Sequence, residues 1–149
     1  MFKNNYIKIE YFEKITDDIK DKLIDIWEDS VKNSHDFLSD FYRKKIKNDL
    51  LNSQVFFNLN YLICYDKDEM IGFLAFKDEK IEMLFLKSKY FNQGIGTALI
   101  SKAINDYHLK YVEVNKDNYK AYKFYQKCRF IQESEYEDEY GFVVLKMKL

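Results

Sequence analysis

Ile81-Glu82-Met83-Leu84-Phe85-Leu86 leads, through Lys87 to Tyr90, into Phe91-Asn92-Gln93-Gly94-Ile95-Gly96-Thr97. The first run is short and mostly apolar and reads as a buried strand. Beyond the glycines, Leu99, Ile100, Ala103, Ile104 and Tyr107 recur at helical spacing. The chain has only four glycines, and two stand two residues apart where strand hands over to helix. Glycine at such a junction lets backbone come close to a partner. The free N–H groups of a helix start then make a seat for phosphate oxygens, or the pair simply forms a tight turn. G-x-x-x-x-G-K-[ST] is absent, and G-x-G-x-x-G fails because Leu99 stands at its third glycine. Nucleotide-hydrolase and dinucleotide loops are thereby excluded.

About twenty residues on, Asn118 to Cys128 reads as a second helix, following a short strand, Tyr111 to Asn115, with Asp117 as its N-cap. Asn118 and Tyr125 lie seven positions apart and so share a face, with Ala121 between them. An amide, a small residue and a phenol line that stripe, which suits either a ligand or a core.

Together the two segments resemble the GNAT superfamily of acyl-CoA-dependent N-acyltransferases. Phe91-Asn92-Gln93-Gly94-Ile95-Gly96 follows the pyrophosphate loop [R/Q]-x-x-G-x-[G/A]. Asn118, Ala121, Phe124, Tyr125, Lys127 and Phe130 follow the later motif N-x-x-A-x-x-F-Y-x-K-x-G-F. The resemblance spans residues 60 to 131 most closely. Phe91 replaces the family's Arg or Gln, and Arg129 replaces the glycine before the last aromatic. The second change requires a turn conformation that glycine adopts more easily.

The resemblance implies direct transfer of an acetyl group from acetyl-CoA to a primary amine of a small molecule, a peptide or a lysine. It places the donor against the main chain of Leu84, Phe85 and Leu86, where the strand splays from its parallel neighbour. The loop Gln93, Gly94, Ile95, Gly96 and Thr97 would take the pyrophosphate, and Asn118, Ala121 and Phe124 would line the rest. Transfer requires that the amine lose a proton, the oxyanion be stabilised and the thiolate be protonated. Tyr125 is the candidate for the last task, as proton donor or hydrogen-bond partner, against a purely structural role in the core. Glu82 is the charged residue of an apolar strand, and alternation puts it on the face of Leu84 and Leu86. It reads as base, substrate anchor or exposed edge position. His35 is the rival base. It lies in Trp27-Glu28-Asp29-Ser30-Val31-Lys32-Asn33-Ser34-His35-Asp36-Phe37-Leu38, which resembles a W-x-x-S-V-x-x-[ST]-H-D-F-L segment of a bacterial GNAT subgroup. A helix-capping role beside Ser34 is its alternative. A module that holds acyl-CoA without catalysis, as a sensor or partner-binding domain, is the competing reading.

The 149 residues suit one domain with a real core. A net charge of −1 gives no basic footprint for nucleic acid. Lys116, Lys120, Lys123 and Lys127 fall along one helix face, either solvated or steering phosphates. Cys64 and Cys128 lack metal-ligand spacing, and His35 and His108 are far apart, so no metal is expected and a reduced cytoplasmic chain is. Met1 to Glu10 lacks a signal-peptide core, and no run reaches membrane-span length. A monomer or homodimer is expected.

Tyr6 to Tyr11 alternates as a strand. Ile15 to Val31 forms an amphipathic helix capped by Thr16, and a second helix runs from about Asp36 to Leu51. Tyr61–Tyr65 and Met70–Phe76 pair through Asp66-Lys67-Asp68, and two strands near 130–136 and 141–148 close the chain. The order β-αα-βββ-α-β-α-ββ predicts a GNAT-like α/β fold, a mixed central sheet flanked by helices.

Overall fold

A computed structural model describes residues 6–34 and 38–149. The chain runs β1 (Ile7–Phe12), α1 (Asp17–Ser34), α2 (Asp40–Asn52), β2 (Asn60–Asp66), β3 (Glu69–Lys77) and β4 (Lys80–Leu86). It continues α3 (Ile95–Tyr107), β5 (Tyr111–Asn115), α4 (Tyr119–Lys127), β6 (Ile131–Glu137) and β7 (Val143–Lys148). The strands form a seven-stranded sheet in the order β1-β2-β3-β4-β5-β7-β6. Every neighbouring pair is antiparallel except β4 with β5, which the α3 crossover makes parallel. The mixed sheet and the element order are those predicted from the sequence.

Alternating side chains divide the core between the two faces of the sheet. Leu62, Leu74, Val112 and Val114 pack with Leu99, Ile100 and Ala103 of α3 and Tyr125 of α4. Ile63, Phe73 and Ala75 pack with Leu23, Ile24 and Ile26 of α1. Thr16 caps α1 as expected, its hydroxyl accepting the Ile19 N–H at 3.3 Å.

Two expectations are corrected. The second helix begins at Asp40 rather than near Asp36, because Ser39 caps it by accepting the Tyr42 N–H at 3.3 Å. None of its residues is fully buried, and Phe41 is 70% exposed. It leans instead on the β6–β7 connection, where Tyr42 meets the Phe142 ring edge-on and Asp49 accepts the Tyr140 hydroxyl. The cap of α4 is Asn118, not Asp117. The Asn118 side-chain oxygen accepts the Ala121 N–H at 3.1 Å, while the Asp117 N–H turns back to Asn115 at 2.9 Å.

Lys20 ties α1 to the end of α2. It is buried, and its ammonium donates to the carbonyls of Leu51 at 3.2 Å and Ser53 at 2.9 Å, beside the Phe57 ring. Those carbonyls belong to a helix end that would otherwise lack donors. Lys20→Met keeps the stem and removes the donor, so it is expected to cost about 2 kcal/mol, read as a lowered Tm in thermal melting.

The parallel pair is the feature that makes a site. β4 and β5 are joined only at Lys80–Tyr111 and Ile81–Val112. The cause lies on the other side of β4, where Ala75 pairs Met83 and Phe76 pairs Ile81, leaving Glu82 as an extra residue without a partner on β3. A bulge bends its strand and increases its twist. Beyond it β4 diverges, and the main chain from Met83 to Leu86 has no neighbouring strand on the β5 side.

Candidate active site

The divergence opens a cleft of about 540 Å³ that runs between the two helical layers. Leu84, Phe85 and Leu86 form one wall, and Gly94, Ile95, Gly96 and Thr97 form its end. Ala121, Phe124 and Tyr125 close it from α4, and Ser30 and Asn33 of α1 from the opposite layer.

The loop end presents main-chain donors to the cleft. Gly94 is the residue before α3, with φ +85, a left-handed conformation that side chains rarely adopt. The first main-chain bond of the helix runs from the Ala98 N–H to the Gly94 carbonyl at 3.1 Å. The N–H groups of Ile95, Gly96 and Thr97 therefore precede the helical ladder, as in any first turn, and carry the positive end of the helix dipole. The approach is pinned by α1 and by the sheet. Asp29 of α1 accepts the Ser88 N–H at 2.6 Å, and Asp66 of β2 accepts the Tyr90 hydroxyl at 2.6 Å. Gln93 is turned away: it is exposed, its amide donates to the Lys89 carbonyl at 3.1 Å, and its side chain is not part of the cleft lining.

Helix α4 meets this loop directly, since a Cβ added at Gly96 would lie 3.4 Å from the Phe124 ring. Its entry depends on Asn118, and its exit on Arg129, which takes φ +76 where the family pattern has glycine. Tyr125 is 6% exposed, its ring wedged edge-on against Phe124 and Phe130. Its hydroxyl forms no hydrogen bond with the described residues, while the side chain lines the cleft. Burial pushes its phenol far above the ordinary value, with a smaller contribution from Cys128. The group therefore stays protonated, a donor without an acceptor among the described residues.

Glu82 is placed differently from the alternation reading. The bulge breaks the phase: Ile81 packs on the α3 side with Leu84 and Leu86, whereas Glu82 joins Lys80 and Glu113 on the α1 side. It still lines the cleft, one-third exposed, from the side opposite Leu84 and Leu86. His35 lies outside the described residues; Ser30, Asn33 and Ser34 from the same quoted segment do line the cleft.

Four lining side chains, Glu113, Asn115, Lys120 and Lys127, were not singled out as catalytic or donor-binding by the sequence reading. The lysine periodicity did signal two of them; Lys123 of that set instead lies over the Tyr119 ring at 5.0 Å. Nothing in the sequence marked Glu113, an acid in a short strand. Lys80 donates to it at 2.7 Å, and the Tyr136 hydroxyl of β6 also donates to it. Burial alone would raise its carboxyl, but these bonds outweigh it and hold it below the usual carboxylate range.

A splayed parallel pair, a glycine-led helix start at its end and a buried phenol across from it occur together in this cleft. The model of the acetyltransferase (GNAT) domain matches residues 16–149. The chain belongs to the GNAT acetyltransferase family. This acetyltransferase is 34% identical over 110 residues to peptidyl-lysine N-acetyltransferase YjaB of Salmonella typhimurium, covering 74% of the present chain and 75% of the relative. Its fold is shared with apo YjaB of Escherichia coli, at TM-score 0.81 and 24% identity over 95% of this chain and 96% of that one. It is shared too with the PaiA N-acetyltransferase of Thermoplasma acidophilum, solved with coenzyme A, at TM-score 0.62 and 22% identity over 95% and 99%. The acetyltransferase takes its acetyl group from acetyl-CoA and passes it to an amine. Among the described residues no group of three His, Cys, Asp or Glu is placed to hold a metal ion, and no helix is long and apolar enough to cross a membrane.

Proposed function

We propose that this acetyltransferase modifies the ε-amine of lysine in a peptide or protein, working as one domain over residues 1–149. The observation that carries the reading is the two-sided cleft at the β4–β5 splay, apolar with an anion seat on one side and carboxylate-bearing on the other. The names of the YjaB relatives favour a peptidyl lysine as acceptor. Free Cys64 and Cys128 suit a reducing cytoplasm. Monomer and homodimer both fit this reading, which requires neither nucleic acid nor membrane.

On the donor side, the N–H groups of Gly94 to Thr97 hold the pyrophosphate, with Lys120 and Lys127 adding positive charge. The edge of Leu84 to Leu86 that faces the splay, where β5 no longer runs alongside, lies against the pantetheine arm and orients the thioester. Ala121 and Phe124 pack against the arm, and the Tyr125 hydroxyl meets the departing sulfur. On the acceptor side, Glu82 draws in the ammonium and receives its proton, and the neutral amine attacks. His35, outside the described residues, is the alternative base or substrate contact.

A panel of lysine peptides, free lysine and α-amines, supplied with acetyl-CoA and read by thiol release, tests the acceptor class. Peptidyl lysine is expected to give the highest kcat/KM; turnover of α-amines alone would overturn the reading. Glu82→Gln is expected to lower kcat/KM by about a hundredfold or more at neutral pH. The lost proton acceptor supplies most of this and an exposed ion pair up to about 1 kcal/mol. The deficit should shrink as pH approaches ~10.4, because a lysine amine that is already neutral needs neither attraction nor deprotonation. A pH-independent deficit would remove Glu82 from this role.

A further inference from the structure

Glu82 and Glu113 are the first residues beyond the last paired positions of β4 and β5, so they flank the mouth of the splay on the acceptor side. One ammonium, that of Lys80, lies between them, and it is not shared equally. It is 2.7 Å from the Glu113 carboxylate and 3.8 Å from that of Glu82. The first distance is a charge-assisted hydrogen bond, and the second is too long for one. Glu113 is itself fixed from the far side, because the Tyr136 hydroxyl donates to it and Lys146 stands over the Tyr136 ring at 5.4 Å. Glu113 is the more buried partner, its side chain 22% exposed against 34% for Glu82. The lysine is thus hydrogen-bonded by the carboxylate that is itself anchored, and the freer carboxylate keeps a longer ion pair with it but no hydrogen bond.

We propose that Glu113 is a positioning residue for acetyl transfer: anchored by Tyr136, it draws the Lys80 ammonium across the mouth of the splay and leaves the Glu82 carboxylate to meet the acceptor's ammonium. Without Glu113, the same flexible lysine has one carboxylate within reach. Lys80 then folds onto Glu82, forms there the ion pair that the acceptor should form, and competes with substrate from inside the protein. The effect falls on amine binding, since the donor seat at Gly94 to Thr97 lies at the other end of the cleft. The proposal rests on the assignment of Glu82 to the acceptor.

The test measures KM for a lysine peptide and KM for acetyl-CoA in Glu82→Gln, Glu113→Gln, Lys80→Met and the Glu113→Gln/Lys80→Met double variant, each checked for folding by thermal melting. Glu113→Gln is expected to raise the peptide KM roughly fivefold, the scale of one lost charged contact, with the acetyl-CoA KM unchanged. Adding Lys80→Met should return the peptide KM to within about twofold of the parent, because the internal competitor is gone. A merely structural Glu113 predicts no such rescue, so a double variant as impaired as Glu113→Gln overturns the proposal, as does a Glu113→Gln enzyme with the parent KM. If Glu82→Gln raises the peptide KM while Glu113→Gln does not, the positioning role fails and the assignment of Glu82 stands. If Glu82→Gln leaves the peptide KM unchanged, both fail. Should Glu113→Gln not fold, Tyr136→Phe keeps the carboxylate and loosens it. A smaller rise in peptide KM, removed by Lys80→Met, is expected there, and an unaltered KM overturns the proposal.

Discussion

Gly96→Val is expected to abolish stabilisation by acetyl-CoA, and activity with it, while the protein stays folded. For the parent, acetyl-CoA at a hundredfold excess over Kd should add about 2.7 kcal/mol by mass action, a rise in Tm of several degrees. The seat depends on access to the N–H groups of Ile95, Gly96 and Thr97, and Gly96 stands in the middle of the three. A Cβ there already touches the Phe124 ring at 3.4 Å, and the two further methyls of valine have to enter either the ring or the anion seat. The helix itself tolerates the change, since valine is a better helix former than glycine. Thermal melting with and without acetyl-CoA reads both effects at once. A parent protein that shows no shift at millimolar acetyl-CoA would refute the donor site, and a variant that keeps the shift would move it away from this helix start.

Tyr125→Phe is expected to lower kcat about a hundredfold, with acetyl-CoA affinity nearly unchanged. The ring supplies the packing against Phe124 and Phe130 and remains, so only the hydroxyl is lost. That hydroxyl has no hydrogen-bond acceptor among the described residues, yet burial holds it in its neutral, donating form. A phenol so raised is a weaker acid than a thiol of ordinary pKa ~8.5, so complete proton transfer to the leaving thiolate is uphill. The larger contribution is a hydrogen bond that strengthens as negative charge gathers on sulfur, an interaction made in the transition state and not in the ground state. The same direction of shift fixes the pH dependence. The neutral phenol stabilises the fold below the unfolded value of ~10, and that contribution is lost as pH rises through the higher folded value. kcat should therefore show no alkaline limb from Tyr125 below about pH 10. Steady-state kinetics and the acetyl-CoA thermal shift check the two halves, and a loss of less than about fivefold would return Tyr125 to a structural role.

The features that local chemistry sets are legible in the residues alone. Helical spacing located α1, α3 and α4, Thr16 named the first cap, and alternation located the strands. Gly94 and Gly96 were legible as a junction where backbone comes close to a partner, because glycine is scarce elsewhere, and the paired motifs named Asn118, Ala121, Phe124 and Tyr125, which line one cleft. Local rules failed where a neighbouring element decides. Asp117 and Asn118 are equally good caps by type; the Asn115 carboxamide holds the Asp117 N–H, and Asn118 caps the helix. The apolar residues of α2 look like a core stripe, but the sheet face they would cover is already filled by α1, so they stay half exposed. The acceptor side belongs to tertiary structure most completely. Which face of the sheet Glu82 occupies depends on a bulge that exists only relative to β3, whose Ala75 and Phe76 pair around it. Glu113 becomes a functional candidate only because a lysine of β4 and a tyrosine of β6 converge on it. Strand period is a property of the chain, whereas phase and partnership across a sheet are set by neighbours far away in sequence.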